Sequence, residues 1–384
     1  MRIGIDARFY GLAGPGRYVK NLIKYLERID NGNEYIIFLN RGNFNEYSPA
    51  NPHFKKILAD YPWYGLREQL FLPLKIWHAG VDLMHFPQFN IPVFWPGCFV
   101  VTIHDMIMHE FSTERETTRH RIIYRLKRIF YLLTFSLACR RSIKIIVPSL
   151  ATKNDLVQKL NISGEKITVT YEGVDELFTF PPVGERAFAE KILNKYGIRK
   201  PFLLYVGSMY PHKNLDRLVQ AFKILQTKFH YPGQLVLAGK ESFFSMKLRK
   251  RVRELFLKES ILFPAEKTPN GYLPDAEIKT LFAEAEVYVF PSLKEGFGLP
   301  PLEAMSFGLP VAASNSSCLQ EIYGPAASYF NPLDIFEIAQ KIDELIRNHD
   351  LKKELIEKGY QQAKKYSWKE MAGQTLNVYQ SLKK

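Results

Sequence analysis

The chain has 384 residues, of which 46% are hydrophobic and 24% charged, enough for two packed domains and too apolar for a disordered chain. Lys and Arg number 52 against 39 Asp and Glu, a formal net charge of +13, which favours anionic partners: phosphate esters, nucleic acid or an anionic membrane. The three cysteines, Cys98, Cys139 and Cys318, are odd in number and far apart, against a disulfide framework or a cysteine zinc site and in keeping with a reducing cytosol.

The opening MRIGIDARFY has no apolar stretch behind its charges, so no secretory leader is expected and the expected location is cytoplasmic. Apolar runs at Arg2–Asp6, Tyr35–Leu39, Asp82–Phe86, Phe99–Ile103 and Lys144–Pro148 read as strands. Gly16–Ile29, Arg115–Ala138 and Leu150–Leu160 read as helices between them. This alternation predicts parallel βα units. The longest apolar run near the basic second helix, Ile129–Cys139, is too short to span a membrane, which takes roughly 20 residues. The stretch Glu172–Lys200 contains Phe180-Pro181-Pro182, which disfavours helix and marks a hinge. A second series then begins, with strands at Phe202–Val206, Gln234–Ala238, Val287–Phe290, Pro310–Ala313 and Ala327–Phe330. Its helices fall at Asn214–Lys228, Ser245–Lys258, Asp275–Ala285, Leu299–Phe307 and from Ile335 onward. The expected fold is α/β, two doubly wound domains covering 1–180 and 181–365, facing a central cleft.

In open parallel sheets ligands bind beyond the carboxyl ends of the strands, and unusual residues cluster there. After the first strand comes Gly11-Leu12-Ala13-Gly14-Pro15-Gly16-Arg17, a glycine loop leading into a helix. Its spacing is not the dinucleotide G-x-G-x-x-G, and it reads equally as a bare strand-to-helix turn. After Phe99–Ile103 comes His104-Asp105, a pair able to position a reacting sugar or act in acid–base chemistry, or else a core histidine with a neighbour. After Phe202–Val206 comes Gly207-Ser208-Met209-Tyr210-Pro211-His212-Lys213, with Lys213 where a helix begins and where a diphosphate would find both charge and free N–H groups. The densest segment is Glu295-Gly296-Phe297-Gly298-Leu299-Pro300-Pro301-Leu302-Glu303. It puts Glu295 in a loop and Glu303 about one turn into a helix, where a carboxylate can accept from two vicinal ribose hydroxyls.

These motifs, with Tyr171-Glu172-Gly173-Val174-Asp175 and the tail Tyr366-Ser367-Trp368, resemble glycosyltransferase family 4, the retaining GT-B glycosyltransferases, over nearly the whole chain. The resemblance is greatest to bacterial mannosyltransferases. It implies that a final helix, 366–384, packs back on the N-terminal acceptor domain. It implies that Glu303 binds the nucleotide ribose and that Lys213 pairs with the diphosphate. Glu295 would meet the transferred sugar, with Gly296, Phe297, Gly298 and Leu299 around sugar and diphosphate. His104 would lie near the anomeric centre, and Gly14 and Gly16 would let the first domain close over the donor. The donor would be a nucleotide-diphosphate sugar, GDP-mannose before a UDP-sugar, with no metal and no cofactor. Two departures stand out: Ser208 and His212 occupy places where many members carry Arg. Arg17 is a candidate to supply the missing charge.

The acceptor would be a glycan or a lipid-linked glycan in cell-surface polysaccharide synthesis. Residues 115–144 carry nine Lys or Arg against the single acid Glu116. Such a helix can lie against an anionic membrane, or pack on its own domain with a solvated basic face. Two other function classes fit part of the pattern: a nucleotide-sugar epimerase of the same architecture, and a basic nucleic-acid-binding protein. No nucleic-acid motif supports the second, and no nucleic-acid partner is expected.

Overall fold

The computed structural model describes residues 1–111, 121–174 and 186–383. Two compact units emerge. One holds Met1–Glu110, the chain up to Gly173, and everything from Ser367 onward; the other holds Val174–Tyr366. The division falls after Gly173, ahead of the expected point near 180, which lies outside the described residues.

The first unit is built on strands β1 (Arg2–Asp6), β2 (Glu34–Leu39), β3 (Phe54–Leu58), β4 (Leu83–Phe86), β5 (Phe99–Thr102), β6 (Lys144–Val147) and β7 (Ile167–Val169). They form one sheet in the order β3-β2-β1-β4-β5-β6-β7, parallel throughout. Parallel strands are covered on both faces, so their interiors are continuous apolar runs: Ile3, Ile5, Ile37, Val100 and Ile146 are all fully buried. The helix Ala13–Ile29 follows β1, and the helix Trp368–Ser381 lies against it. That return is fastened by a buried polar chain. The Tyr379 hydroxyl meets His85 Nδ1, His85 Nε2 meets Thr102 Oγ1 at 2.8 Å, and Thr102 Oγ1 meets the Tyr18 hydroxyl at 3.2 Å. Burial, helped by the charge of His104, pushes His85 down to about 3, so it stays neutral in this network.

At the carboxyl end of β1 sits a buried ionic group. The Arg8 guanidinium grips Asp6 with two hydrogen bonds of 2.8 and 2.7 Å and reaches Glu68 at 2.6 Å. Glu68 also accepts from the Asn90 amide and the Tyr64 N–H, both at 2.7 Å. Asp6, Arg8 and Glu68 are each buried. Burial pushes the Glu68 carboxyl up, only partly countered by Arg8.

The second unit is built on β8 (Phe202–Val206), β9 (Gln234–Ala238), β10 (Ile261–Leu262), β11 (Val287–Phe290), β12 (Val311–Ser314) and β13 (Ala327–Phe330). Their order is β10-β9-β8-β11-β12-β13, again parallel. The helix Ile335–Arg347 covers one face with Ile338, Ala339, Ile342 and Leu345, apolar at helical spacing and all buried.

Both units are therefore α/β, Rossmann-like and doubly wound. Strands β3, β7 and β10 and the helix Leu66–His78 were not expected from the sequence. The helix expected at Arg115–Ala138 is described as Arg121–Arg141, its first residues lying outside the described part.

Candidate functional site

In the second sheet the chain order reverses between β8 and β11, the place where open parallel sheets bind ligands, beyond the carboxyl ends of the strands. The two sequence motifs meet there. Lys213 closes a single 3-10 turn, Pro211–Lys213, ahead of the helix Leu215–Thr227 rather than opening that helix. Its Nζ donates to Glu295 Oε1 at 2.6 Å and stands 5.6 Å from the centre of the Phe290 ring. The Leu293 N–H donates to the His212 carbonyl at 2.8 Å. The Asn214 amide donates to the carbonyls of Pro291 at 3.1 Å and Pro332 at 2.7 Å, bracketing three loops together. Burial and the Lys213 charge hold His212 down to about 4 despite Glu295. His212 therefore brings no charge at neutral pH, and Ser208 is exposed with its carbonyl accepting from Tyr205.

Glu295 is buried, and its loop is braced from behind. The Ser317 hydroxyl donates to the Glu295 carbonyl at 2.8 Å, the Cys318 thiol contacts the carbonyls of Glu295 and Phe297, and the Tyr323 hydroxyl donates to the Gly298 carbonyl at 2.8 Å. Phe297 is buried edge-on against Tyr366. Gly298 has φ +89°, and a Cβ there would lie 2.3 Å from the Tyr323 hydroxyl oxygen, so both backbone shape and space exclude a side chain. It caps the helix Leu299–Ser306. Because the next residues include Pro300 and Pro301, the N–H groups that this helix leaves open reduce to Gly298 and Leu299. Glu303, 4% exposed, follows just past the first turn. Burial, with the Glu303 and Glu295 charges, pushes the Tyr288 hydroxyl well up. Ser292, fully buried in the same loop, has a hydroxyl without a hydrogen-bond partner among the described residues. No motif in the chain singles it out.

In the first unit the order reverses between β1 and β4. Gly14 and Gly16 fall in the first turn of the helix Ala13–Ile29 rather than in a loop before it; Gly16 is buried, and a Cβ there would fall 2.2 Å from the Phe9 carbonyl oxygen, while Gly14 has open space around it. Arg17 follows, half-buried, in the helix Ala13–Ile29. The ring of Tyr18, next in line, meets His104 edge-on with centroids 4.9 Å apart. His104 Nε2 donates to the Pro87 carbonyl at 2.9 Å, and Nδ1 faces Glu172 Oε1 at 3.4 Å. The carboxylate partner is thus Glu172, 68 residues away, and not the neighbouring Asp105, which accepts from the Ile107 N–H. A carbonyl and a carboxylate can only accept, so both ring nitrogens are best served by carrying protons. Burial works against the imidazolium, but Glu172, Pro87 and Asp105 outweigh it and raise the His104 pKa above the ordinary imidazole value.

The sign follows from that shift. Stability contributed by this arrangement is fully present below the unfolded imidazole pKa and is lost as pH rises through the raised folded value. In Glu172→Gln the charge is gone and burial remains, so the His104 titration followed by NMR is expected to move to lower pH. An unchanged midpoint would show that Glu172 does not hold the proton there.

Among the described residues no three His, Cys, Asp or Glu side chains gather as a metal-binding group. None of the described helices is long and apolar enough to cross a membrane.

Comparison with known proteins agrees with this geometry unit by unit. Residues 12–176 match the family model described as Glycosyltransferase Family 4, and residues 188–362 match that of Glycosyl transferases group 1. The chain is 28% identical to the O-antigen chain mannosyltransferase B of Escherichia coli over 97% of each. Among solved structures it is similar to the sucrose-phosphate synthase of Thermosynechococcus elongatus, with TM-score 0.75, 21% identity and coverage of 99% of this chain and 98% of that one. It is likewise similar to Anabaena HepE in complex with UDP-glucose, with TM-score 0.74, 17% identity and coverage of 99% and 100%. With a family model on each unit and GT-B neighbours over the whole fold, the chain belongs to the family 4-like glycosyltransferases of the GT-B fold.

Proposed function

We propose that the protein moves a hexose from a nucleotide-diphosphate sugar, GDP-mannose before a UDP-sugar, to a glycan or lipid-linked acceptor in cell-surface polysaccharide synthesis. The observation that carries this reading is the pairing of Lys213 with Glu295 at the reversal between β8 and β11, with Glu303 buried in the helix that follows. The mannosyltransferase relative supports the sugar and the pathway. In this reading Glu303 takes the ribose hydroxyls, and Lys213 with the Gly298 and Leu299 N–H groups takes the diphosphate. Glu295, Gly296 and Phe297 attend the sugar, and His104 is assigned to the anomeric centre. The bond from the anomeric carbon to the diphosphate oxygen breaks and the acceptor oxygen bonds on the same face. The acceptor proton leaves with the diphosphate. Fixed positive charge and backbone donors stabilise the leaving group without a metal. The basic stretch 115–144 contacts an anionic membrane surface and brings a lipid-linked acceptor within reach.

A thermal-shift panel of GDP, GDP-mannose, UDP and UDP-glucose tests the donor. A ligand at ~100 times its dissociation constant adds ~2.7 kcal/mol of stability. Hydrogen bonds to a charged group contribute about 1.5–3 kcal/mol, so Glu303→Ala is expected to weaken the best ligand at least tenfold while the unliganded melt is kept. Unchanged affinity in that variant would remove the ribose assignment. Sugar conversion without any acceptor would favour the epimerase.

A further inference from the structure

The segment that carries Glu172 is pressed, backbone to backbone, against the returning end of the chain. Glu172 follows β7, and Gly173, next in line, is buried. A Cβ on Gly173 would fall 2.1 Å from the Trp368 nitrogen and 2.4 Å from the Ser367 carbonyl carbon. Both neighbours are main chain and cannot swing aside, so the crossing has room only for glycine. The Ser367 hydroxyl caps the helix Trp368–Ser381 by accepting from the Lys369 N–H at 3.2 Å, which fixes the stretch that Gly173 meets.

The same return reaches His104 by a second route. Trp368, 1% exposed, meets the Tyr18 ring edge-on with centroids 6.5 Å apart, and Tyr18 in turn meets His104. The Tyr18 hydroxyl is tied to Thr102, so the ring is held at both ends. The titratable groups facing His104 are Glu172 after β7, Asp105 beside it, Tyr18 of the helix Ala13–Ile29 and His85 of β4. Burial pushes the Tyr18 hydroxyl up to about 12 and His85 down to about 3, so both are neutral around pH 7. Of the two carboxylates, Asp105 accepts from the Ile107 N–H, and Glu172 faces the ring nitrogen Nδ1. Where the Glu172 carboxylate stands therefore sets how firmly the imidazole holds its second proton.

We propose that Gly173 is a positioning residue for His104: its bare backbone lets the Ser367–Trp368 return clamp the Glu172 carboxylate against His104 Nδ1. Gly173 acts through Glu172 and touches no reacting atom. The proposal rests on the transferase reading only in taking His104 to matter for turnover. The clamp itself is read on the protein without substrate, so the two fail separately.

The test is the His104 titration followed by NMR in Gly173→Ala, with the thermal melt recorded alongside. An opposite charge this close raises an imidazole by about 1–3 pH units, so drawing the carboxylate away is expected to lower the midpoint by about 1 pH unit. Glu172→Gln should lower it at least as far. The double variant Gly173→Ala/Glu172→Gln should fall no further than Glu172→Gln, because Gly173 then has no charge left to position. Turnover of GDP-mannose against pH should move with the midpoint. A midpoint that moves while that profile stays put would support the clamp and remove His104 from the transferase reading. A melt that falls with the midpoint unchanged would overturn the clamp and leave Gly173 a packing residue, as would a double variant whose midpoint falls by the sum of the two. Where Gly173→Ala does not fold, Glu172→Asp carries the test on the native backbone. Its carboxylate is one methylene short, and a clamped segment cannot slide to close the gap, so the midpoint is expected to fall. A midpoint held at the native value would show a segment free to follow and would equally overturn the clamp.

Discussion

Lys213→Met is expected to lower turnover about 10²–10³-fold, the usual cost of removing one donor aimed at developing negative charge. Before a diphosphate arrives, the anion beside Lys213 is the protein's own Glu295, at 2.6 Å with both side chains largely buried. In the proposed reading a diphosphate displaces or shares that carboxylate, whereas a donor sugar offers hydroxyls for Glu295 to accept from. Calorimetry with free nucleoside diphosphate should then give opposite signs. Lys213→Met should weaken it, and Glu295→Gln should tighten it, because the buried ammonium has lost its counter-ion. Turnover should fall in both. Weaker diphosphate binding in Glu295→Gln would mean that the pair does not compete with ligand and that Glu295 contributes to binding the diphosphate directly.

The second large effect is on stability. Arg8→Met should destabilise the first unit by about 3–5 kcal/mol, because Asp6 and Glu68 are left buried and facing each other without their common cation. Arg8 is itself fully buried, so its loss cannot be made good by solvent. Chemical denaturation followed by circular dichroism reads the shift directly. A loss under about 1 kcal/mol would show that Glu68 simply takes up a proton in the variant and that the group tolerates it.

The central strands were legible in the sequence because parallel strands buried on both faces leave unbroken apolar runs. The strands that escaped are at or near sheet edges: β3 reads FKKIL with two lysines in its middle, β7 has three residues and β10 two. Edges carry charge and brevity to stop further pairing, and both erase the signal. The helix Leu66–His78 escaped for another reason. It contains Pro73 and is apolar on two faces, so no single stripe stands out. The site was legible as residue types and not as partners. Lys213 finds Glu295 82 residues away, and His104 passes over Asp105 for Glu172. The first pairing comes from β8 and β11 being neighbours at the sheet reversal, the second from the loops after β5 and β7, the strands that flank β6, and local pattern does not encode either order.

The clasp between Tyr379 and His85 has a consequence for how the protein is made. These partners are 294 residues apart, and the first unit draws its closing helix from beyond Ser367. During synthesis a chain usually completes its domains in order from the amino end. Here the second unit, Val174–Tyr366, has all its own strands while the first still lacks a helix, so completion runs in reverse. For that interval the flank of Ala13–Ile29 where Trp368–Ser381 docks is an open apolar groove on a nascent polypeptide. The unit begun first is the last to be completed.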